Sequence, residues 1–256
     1  MMTRRAILTR RDMIVTALAG AGGVLLSGCS RGELPPTYGH LLRMGDNLTY
    51  AAHRALLPHG LAREYGREHI SSFPAIGTTN PADPSQPLAA TLGQRYAGLR
   101  AGAFRDYRVS IEGRVARPGT YSLADLQRFP SRTQITRHTC EEGWSAIAEW
   151  TGVALGRVLA AAGTLPDARF VQFHAFDGLG DGIDMIDALH PQTLLAYGMN
   201  GQPLPIPHGG PLRLRVETQI GYKSVKYIDR IVVTDTFEDH GPAGYLHYGW
   251  SWYAGI

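Results

Sequence analysis

The chain has 256 residues, a formal net charge of +3 and 44% hydrophobic residues, which is enough apolar side chain for a sizeable core. Several of its arginines lie in the first 31 residues, so the remainder is close to neutral. A near-neutral chain without zinc-type cysteine pairs, a phosphate-binding loop or internal repeats offers no basic face, and we expect no nucleic-acid partner.

The N-terminus has the layout of an export signal. Arg10 and Arg11 stand shortly before an uncharged apolar run over residues 14–26. This run is shorter than the roughly 20 residues that span a bilayer, and a short apolar run after basic residues is typical of a signal peptide. Consecutive arginines at this point indicate the twin-arginine route, which exports folded proteins. We therefore predict a twin-arginine signal over residues 1–29 and a periplasmic protein.

The two cysteines of the chain have different surroundings. Cys29 ends the sequence Leu-Ser-Gly-Cys, which is similar to a lipoprotein processing box, so either Cys29 becomes a lipid anchor or the signal is an ordinary one. A disulfide with Cys140 is a further alternative, although a cysteine at a cleavage site is a poor structural partner. An unpaired Cys140 is either buried and inert, a nucleophile or a metal ligand.

Residues 30–104 are predicted to be an irregular segment that wraps the core or contributes to a site. Prolines break any long element in it, and residues 77–84 are typical of an exposed loop. These prolines are Pro35, Pro36, Pro58, Pro74, Pro81, Pro84 and Pro87. We assign the folded domain to residues 105–256.

Regular elements become clear at the start of this domain. Alternating apolar residues predict a strand over residues 107–113, and Ser122 is a suitable N-cap for a short helix over residues 123–128. A second strand over residues 132–139 ends directly before Cys140. Helical spacing over residues 153–162 predicts a helix that ends at Gly163.

Strands dominate the second half of the domain. They are predicted over residues 169–176, 212–216 and 226–234, with a hairpin around Asn200-Gly201. Short helices are interspersed irregularly among them. The pattern favours an α+β fold with mixed sheets over a doubly wound parallel sheet.

Residues that can carry chemistry follow the predicted strand ends. Loops at strand ends often form one site. A thiolate binds soft metals, and Arg or Lys side chains bind phosphate and other anions. The candidates of this kind are Cys140, Asp177, His208, Arg213, Ser224, Val225 and Lys226. Each also has an ordinary structural role as its alternative.

Two blocks of the sequence resemble the sulfite oxidase family of molybdopterin-dependent oxidoreductases. The first is QITRHTCEEGWS at residues 134–145, followed by WTGVAL at residues 150–155. The second joins LLAYGMNGQPLP at residues 194–205 with HGGPLR at 208–213 and GYKSVKY at 221–227. The blocks follow the family's order with similar spacing. The resemblance implies an enzyme with the mixed α/β domain of that family and a Mo-molybdopterin cofactor.

The resemblance also implies roles for the residues that match the family's motifs. Cys140 is implied to ligate molybdenum, and Asp177 to contact the pterin. His208 and Arg213 are implied to bind the cofactor, with Arg213 near the pterin phosphate. Ser224, Val225 and Lys226 are implied to hold the same group.

Catalytic positions are expected beside the metal. A tyrosine near the metal's oxo ligand is implied by the resemblance, and we assign it to Tyr248, with a tail packed on the core as the alternative. His138 shares a strand face with Cys140 and either lines the substrate pocket or is structural. Glu141, Glu142 and Trp144 are expected at the rim.

Some departures from the family narrow the expected substrate. The Arg-Asn-His run of animal-type sulfite oxidases, which helps to bind an anionic substrate, has only residues 73–77 as a counterpart, and these include no basic residue. Neither a haem domain nor the family's immunoglobulin-like domain is expected. In size the chain is similar to the methionine-sulfoxide reductase branch, although that branch has an asparagine at the position of His208.

We therefore expect oxygen-atom transfer at a mononuclear molybdenum. Reduction of an S-oxide or N-oxide, on a small molecule or a protein, is the first expectation, and oxidation of sulfite or another sulfur compound is the alternative. Because the sequence has no haem, flavin or iron–sulfur motif, electrons are expected from a separate carrier such as a membrane b-type cytochrome. Two other hypotheses are a lipoprotein that binds pterin or another anion without turnover, and thiol-based peroxide chemistry at Cys140.

Overall fold

A computed structural model describes residues 41–57, 59–72, 81 and 90–256 of the chain. The predicted export signal, Cys29 and residues 73–77 lie outside these ranges. No helix in the described ranges combines the length and the apolarity that a membrane crossing requires.

Two helices form in the segment that was predicted to be irregular. Helix α1 covers Leu41–Leu56 and helix α2 covers Ala90–Ala101. The prediction of irregular structure was wrong for these residues because none of the prolines of the segment falls within the sequence of either helix. The segment is held to the rest of the chain, since Glu64 forms a β-bridge with Thr136.

The remaining elements alternate strands with short helices. In chain order they are β1 (Arg108–Gly113), β2 (Gly119–Ser122), α3 (Leu123–Gln127), β3 (Ser131–Thr139), β4 (Ser145–Ala154), α4 (Leu155–Ala162), β5 (Phe170–Ala175), β6 (Gly180–Asp184), α5 (Met185–Ala188), β7 (Leu194–Met199), β8 (Gln202–Pro203), β9 (Arg213–Arg215) and β10 (Ile228–Thr234). Single 3-10 turns at Ile206–His208, Gly221–Lys223, Gly241–Ala243 and Tyr245–Tyr248 lie between or after them.

The strands form two five-stranded sheets. One sheet has the order β2-β1-β10-β5-β6, in which β1 and β10 are parallel and the other pairs are antiparallel. The other has the order β3-β4-β7-β8, with β9 also paired to β7, and all its pairs are antiparallel. The predicted α+β fold with mixed sheets is confirmed.

The main core contains apolar residues from both sheets. Val109, Phe173 and Ile231 from the first sheet belong to one buried cluster with Leu195 and Leu214 from the second. Each such side chain contributes about 1.5–3 kcal/mol when it is fully buried. The core therefore fixes the position of one sheet relative to the other, and with it the loops at their ends.

Most predicted elements are present, and the exceptions have local causes. Ser122 caps α3 through its Oγ, which accepts from the Asp125 amide at 3.0 Å, as expected. The hairpin turn at Asn200-Gly201 has φ values of 51° and 74°, the left-handed pair that suits a two-residue turn. The helix predicted from residue 153 begins at Leu155, because residues 153–154 belong to β4, a strand in whose sequence apolar and polar residues do not alternate.

Candidate active site

One cleft contains every predicted site residue except Tyr248. It has about 730 Å³ of empty volume, including the part that is open to solvent. The segments that line it follow β3 and β5, begin β9 and surround the turn Gly221–Lys223. Its lining consists of His138, Cys140, Glu141, Glu142, Trp144, Asp177, Leu179, Gly180, His208, Arg213, Gly221, Tyr222, Ser224, Val225, Lys226 and Tyr245.

Cys140 lies where β3 ends in a tight turn. Its amide donates to the Trp144 carbonyl at 2.9 Å, and Gly143, with a φ of 89°, donates back to the Cys140 carbonyl at 3.1 Å. A left-handed φ favours glycine, so the sequence Cys-Glu-Glu-Gly forms this turn at little cost. The half-buried Sγ consequently faces the cleft.

The electrostatic surroundings of Cys140 favour a thiol over a free thiolate. Sγ lies 3.5 Å from Oε2 of Glu141 and 3.7 Å from Oε2 of Glu142. Burial, reinforced by these two carboxylates, raises the pKa of Cys140 to about 11, although a backbone hydrogen bond from Glu142 acts in the opposite direction. Reactive cysteines have a lowered pKa, whereas a metal ion deprotonates a coordinating thiol. This setting disfavours thiol-based peroxide chemistry.

Arg213 forms the buried cationic wall of the cleft. Its side chain is 2% exposed, and its guanidinium donates to the carbonyls of His208 at 2.9 Å and Ser224 at 3.2 Å. Burial, together with the nearby Arg215, lowers its pKa to about 9. Burying a charge is costly unless it is compensated. An anion in the cleft would provide that compensation.

Lys226 and His208 extend the same wall. Lys226 Nζ donates to the Pro207 carbonyl at 3.3 Å, and burial together with Arg213 lowers its pKa to about 7. Burial together with Arg213 and Lys226 lowers the pKa of His208 to about 4, so its ring is neutral near pH 7. An anion beside these two groups would favour the positively charged form of each.

Asp177, Ser224 and Val225 complete this side of the cleft with mostly polar groups. Asp177 follows β5, and its Oδ1 accepts from the Leu179 amide at 3.1 Å. Ser224 Oγ accepts from the Val216 amide at 3.3 Å, which holds the segment Ser224–Lys226 against β9. The predicted cofactor residues are thus assembled around one space.

His138 lines the cleft at the end of β3. Its Nδ1 is 2.6 Å from the guanidinium of Arg215, and its ring centroid is 5.6 Å from that of Trp144. Burial, followed by the charges of Arg215 and Arg213, lowers the pKa of His138 far below its usual value. The ring is therefore neutral.

The structure corrects the position of the expected tyrosine. Tyr248 is 58% exposed, and its hydroxyl donates to the Pro242 carbonyl at 3.2 Å, away from the cleft. Tyr245, three residues earlier, lines the cleft instead, and burial raises its pKa well above its usual value. The dense aromatic composition of residues 245–253 was the available signal, but it did not distinguish one tyrosine from another.

The rim of the cleft is acidic, whereas the wall formed by Arg213 and Lys226 is basic. Glu141, Glu142 and Trp144 all line the cleft, and the Trp144 indole donates to Oε2 of Glu142 at 2.9 Å. Tyr222, which sequence reasoning missed, also lines it, with its hydroxyl donating to the Ser251 carbonyl at 2.5 Å. A thiol beside a cation-lined cavity suits a cofactor that has both a thiophilic metal and a phosphate.

Comparison with known proteins gives a consistent result. A family model described as "Oxidoreductase molybdopterin binding domain" matches residues 99–241. A putative protein-methionine-sulfoxide reductase subunit, YedZ1, of Azospira oryzae is 40% identical over 150 residues, which are 58% of this chain and 56% of that protein. The protein-methionine-sulfoxide reductase catalytic subunit MsrP of Ralstonia nicotianae is 32% identical over 245 residues, which are 88% of this chain and 69% of the relative.

A solved structure is also similar. The sulfane dehydrogenase SoxCD from Paracoccus pantotrophus aligns with a TM-score of 0.51 and 27% sequence identity, over 55% of this chain and 42% of the matched chain. The matches to YedZ1 and to SoxCD each cover less than two thirds of those proteins.

Proposed function

Because the chain belongs to the sulfite oxidase family of molybdopterin-binding oxidoreductases, we propose that it reduces S-oxides, first of all methionine sulfoxide in proteins, at the cleft beside Cys140. The observation that carries this proposal is the assembly of one cleft from the Cys140 sulfur, the buried Arg213 and the partly buried Lys226. The names of the relatives supply the substrate class, since several are protein-methionine-sulfoxide reductase subunits.

The residues of the cleft suit the family's cofactor, Mo-molybdopterin. Cys140 is the proposed molybdenum ligand, because it is the thiol of the cleft. Arg213 and Lys226, which donate hydrogen bonds to backbone carbonyls, are the proposed ligands of the pterin phosphate. Asp177, His208, Ser224 and Val225 are proposed to bind the rest of the cofactor by hydrogen bonds and packing.

The bound cofactor would supply two-electron oxygen-atom transfer, in which an S-oxide, two electrons and two protons give a sulfide and water. The chain itself must orient the S-oxide oxygen. Tyr245 keeps its proton because burial raises its pKa, so it is a hydrogen-bond donor in this role. His138 lies in the same cleft on the wall formed by β3.

The electrons are proposed to come from a separate membrane protein, a b-type cytochrome. The relatives are named as subunits, which is consistent with a partner protein. Export by the twin-arginine route, with or without a lipid anchor at Cys29, would place the enzyme in the periplasm beside that partner. These proposals concern residues 1–29, which lie outside the described ranges.

Metal analysis combined with a substrate assay tests the proposal. We expect protein that is matured through the twin-arginine route to contain close to one molybdenum per chain and to reduce methionine sulfoxide with a reduced artificial donor. If protein purified from a host that makes the cofactor contains no molybdenum, the hypothesis of an enzyme is wrong. The hypothesis of a lipoprotein that binds its ligand without turnover is then favoured.

Oxidation of a sulfur compound is the second candidate, and the structural similarity to a sulfane dehydrogenase favours it. The cation-lined wall would also attract anionic sulfur compounds. The same metal-loaded protein should be assayed with sulfite and an artificial electron acceptor. Faster turnover in this direction than with S-oxides would reverse the order of the two candidates.

A further inference from the structure

A buried charge network contacts His138, the residue of the active-site cleft at the end of β3. Arg215, on β9, is 1% exposed, and Glu217 is 4% exposed. Their side chains form a bidentate pair with distances of 3.0 and 2.7 Å, and Gln134 donates to the same carboxylate at 3.2 Å. The Arg215 guanidinium also stacks on the Trp150 ring, 4.4 Å from its centroid. These contacts leave the guanidinium no freedom to reorient.

One amino group of this guanidinium reaches the active-site histidine. Nη1 of Arg215 lies 2.6 Å from Nδ1 of His138. A guanidinium has five N–H donors and no acceptor, so Nδ1 must contribute its lone pair. In a neutral imidazole the proton is then on Nε2.

Gly221 lies against the ring edge of His138 that contains Nε2 and Cε1. A Cβ at this position would lie 2.5 Å from both Nε2 and Cε1 of His138, which is closer than real Cβ atoms approach. Glycine therefore leaves the space that the ring edge occupies. His138 and Gly221 both line the cleft.

We propose that Arg215 is a positioning residue that fixes His138 in one orientation and as the Nε2–H tautomer, with Glu217 holding Arg215 and Gly221 accommodating the ring. His138 is then a hydrogen-bond donor to the substrate and not a proton acceptor. The substrate's identity rests on the proposed function, since an S-oxide oxygen is a hydrogen-bond acceptor. The tautomer itself follows from the contact alone.

Nitrogen NMR of the full, cofactor-loaded chain tests the tautomer directly. The chain has 10 histidines, and the His138→Gln variant identifies the His138 signals in ¹⁵N-histidine-labelled protein. We expect an unprotonated Nδ1 and a protonated Nε2 in the wild type. A protonated Nδ1 would overturn the proposal.

Substitutions test the role of Arg215. In the double variant Arg215→Gln/Glu217→Gln, two neutral amides replace the buried ion pair, so no unpaired charge is left that would prevent folding. We expect a mixture of His138 tautomers and a loss of about tenfold in kcat/KM for methionine sulfoxide, with unchanged molybdenum content. The single variant Arg215→Lys keeps a donor and the charge. In contrast to the double variant, it should keep most of the Nε2–H tautomer of His138.

Gly221→Ala is the second variant, and Arg114→Gln, which removes an exposed pair with Asp167 and Asp235, is the matched control. Gly221→Ala should displace the His138 signals while Arg215 is intact, and the control should change nothing. An unchanged tautomer in the double variant would overturn the role of Arg215. An inactive, molybdenum-free wild type with an Nε2–H His138 would instead contradict the proposed function and leave the tautomer standing.

Discussion

At the scale of single residues, the site depends on the protonated sulfur of Cys140 and on the buried charge of Arg213. Cys140 is held as a thiol by burial and by Glu141, while Arg213 is a buried cation whose recorded hydrogen-bond partners are carbonyl oxygens. A metal that binds the sulfur would displace the thiol proton, and an anion beside the arginine would offset the cost of burying its charge.

Cys140→Ser should abolish the proposed reaction. A serine hydroxyl does not replace a thiolate as a ligand of a soft metal, so we expect a loss of at least about 1,000-fold in methionine sulfoxide reduction. The unfolding transition should be nearly unchanged, because the half-buried side chain keeps its size. Activity above a tenth of the wild-type value would exclude Cys140 as the metal ligand.

Arg213→Lys should weaken cofactor retention without unfolding the protein. Lysine keeps the charge but loses the planar fork that serves several acceptors at once, so we expect about tenfold weaker retention of the cofactor during dialysis. Pterin content, measured by fluorescence after release, reports the change. Arg230→Gln, which removes the exposed pair with Glu112, is the control. Equal pterin content in both variants would contradict the assigned role of Arg213.

At the scale of elements, a pair of histidines on adjoining segments makes the stability of the fold depend on pH. His174, on β5, and His240 have ring centroids 4.8 Å apart. Burial lowers the pKa of each to about 4, with Arg230 as a further cause for His174 and His174 itself for His240. Both rings are therefore neutral in the folded protein near pH 7.

Stability should fall as the pH is lowered through the window set by these two histidines. In the unfolded chain they titrate near pH 6.5, so between about pH 6.5 and 4 the unfolded state binds more protons than the folded state. Urea unfolding measures the free energy of unfolding at pH 7.5 and at pH 5. Its decrease between these pH values should be about 1 kcal/mol smaller in His174→Gln/His240→Gln than in the wild type, a figure reduced for solvent screening. The same pH dependence in both proteins would contradict this origin.

At the scale of the whole molecule, a largely buried charge cluster is one of the contacts that hold α1 against the sheet domain. Arg54 contacts the carboxylates of Asp184 at 3.0 Å and Asp187 at 2.7 Å, and Asp187 also accepts from Gln219 at 2.6 Å. The pKa of Asp184 is raised by burial and by repulsion from Asp187, which Arg54 partly offsets. The cluster joins α1, β6 and the segment after β9.

Arg54→Ala should destabilise the fold strongly. Removing the cation leaves two buried carboxylates close together, for which we expect a loss of about 3–5 kcal/mol in the free energy of unfolding. Limited proteolysis should then cut within residues 41–57 first. Arg128→Ala, which removes an exposed pair between Asp125 and the C-cap residue of α3, serves as the control and should cost less than about 0.5 kcal/mol.

Local signals in the sequence predicted much of the fold. Alternation predicted β1 and β3, Ser122 predicted the start of α3, and Asn200-Gly201 predicted the hairpin. The helices α1 and α2 were missed because the prolines were interpreted as breaks throughout the segment, although none of them lies within either helix. The strand β4 was missed because its sequence, SAIAEWTGVA, has no alternation of apolar and polar residues with a period of two.

The sequence by itself determined the fold class, the family and the residues around Cys140, since these depend on residue type and on spacing along the chain. Only the tertiary structure decided that Tyr245 and not Tyr248 lines the cleft, and that Arg215 contacts His138 across 77 residues. The physical reason is that spacing along the chain fixes local hydrogen bonds and periodicity. Which distant side chains meet is determined by how the two sheets pack on their shared core.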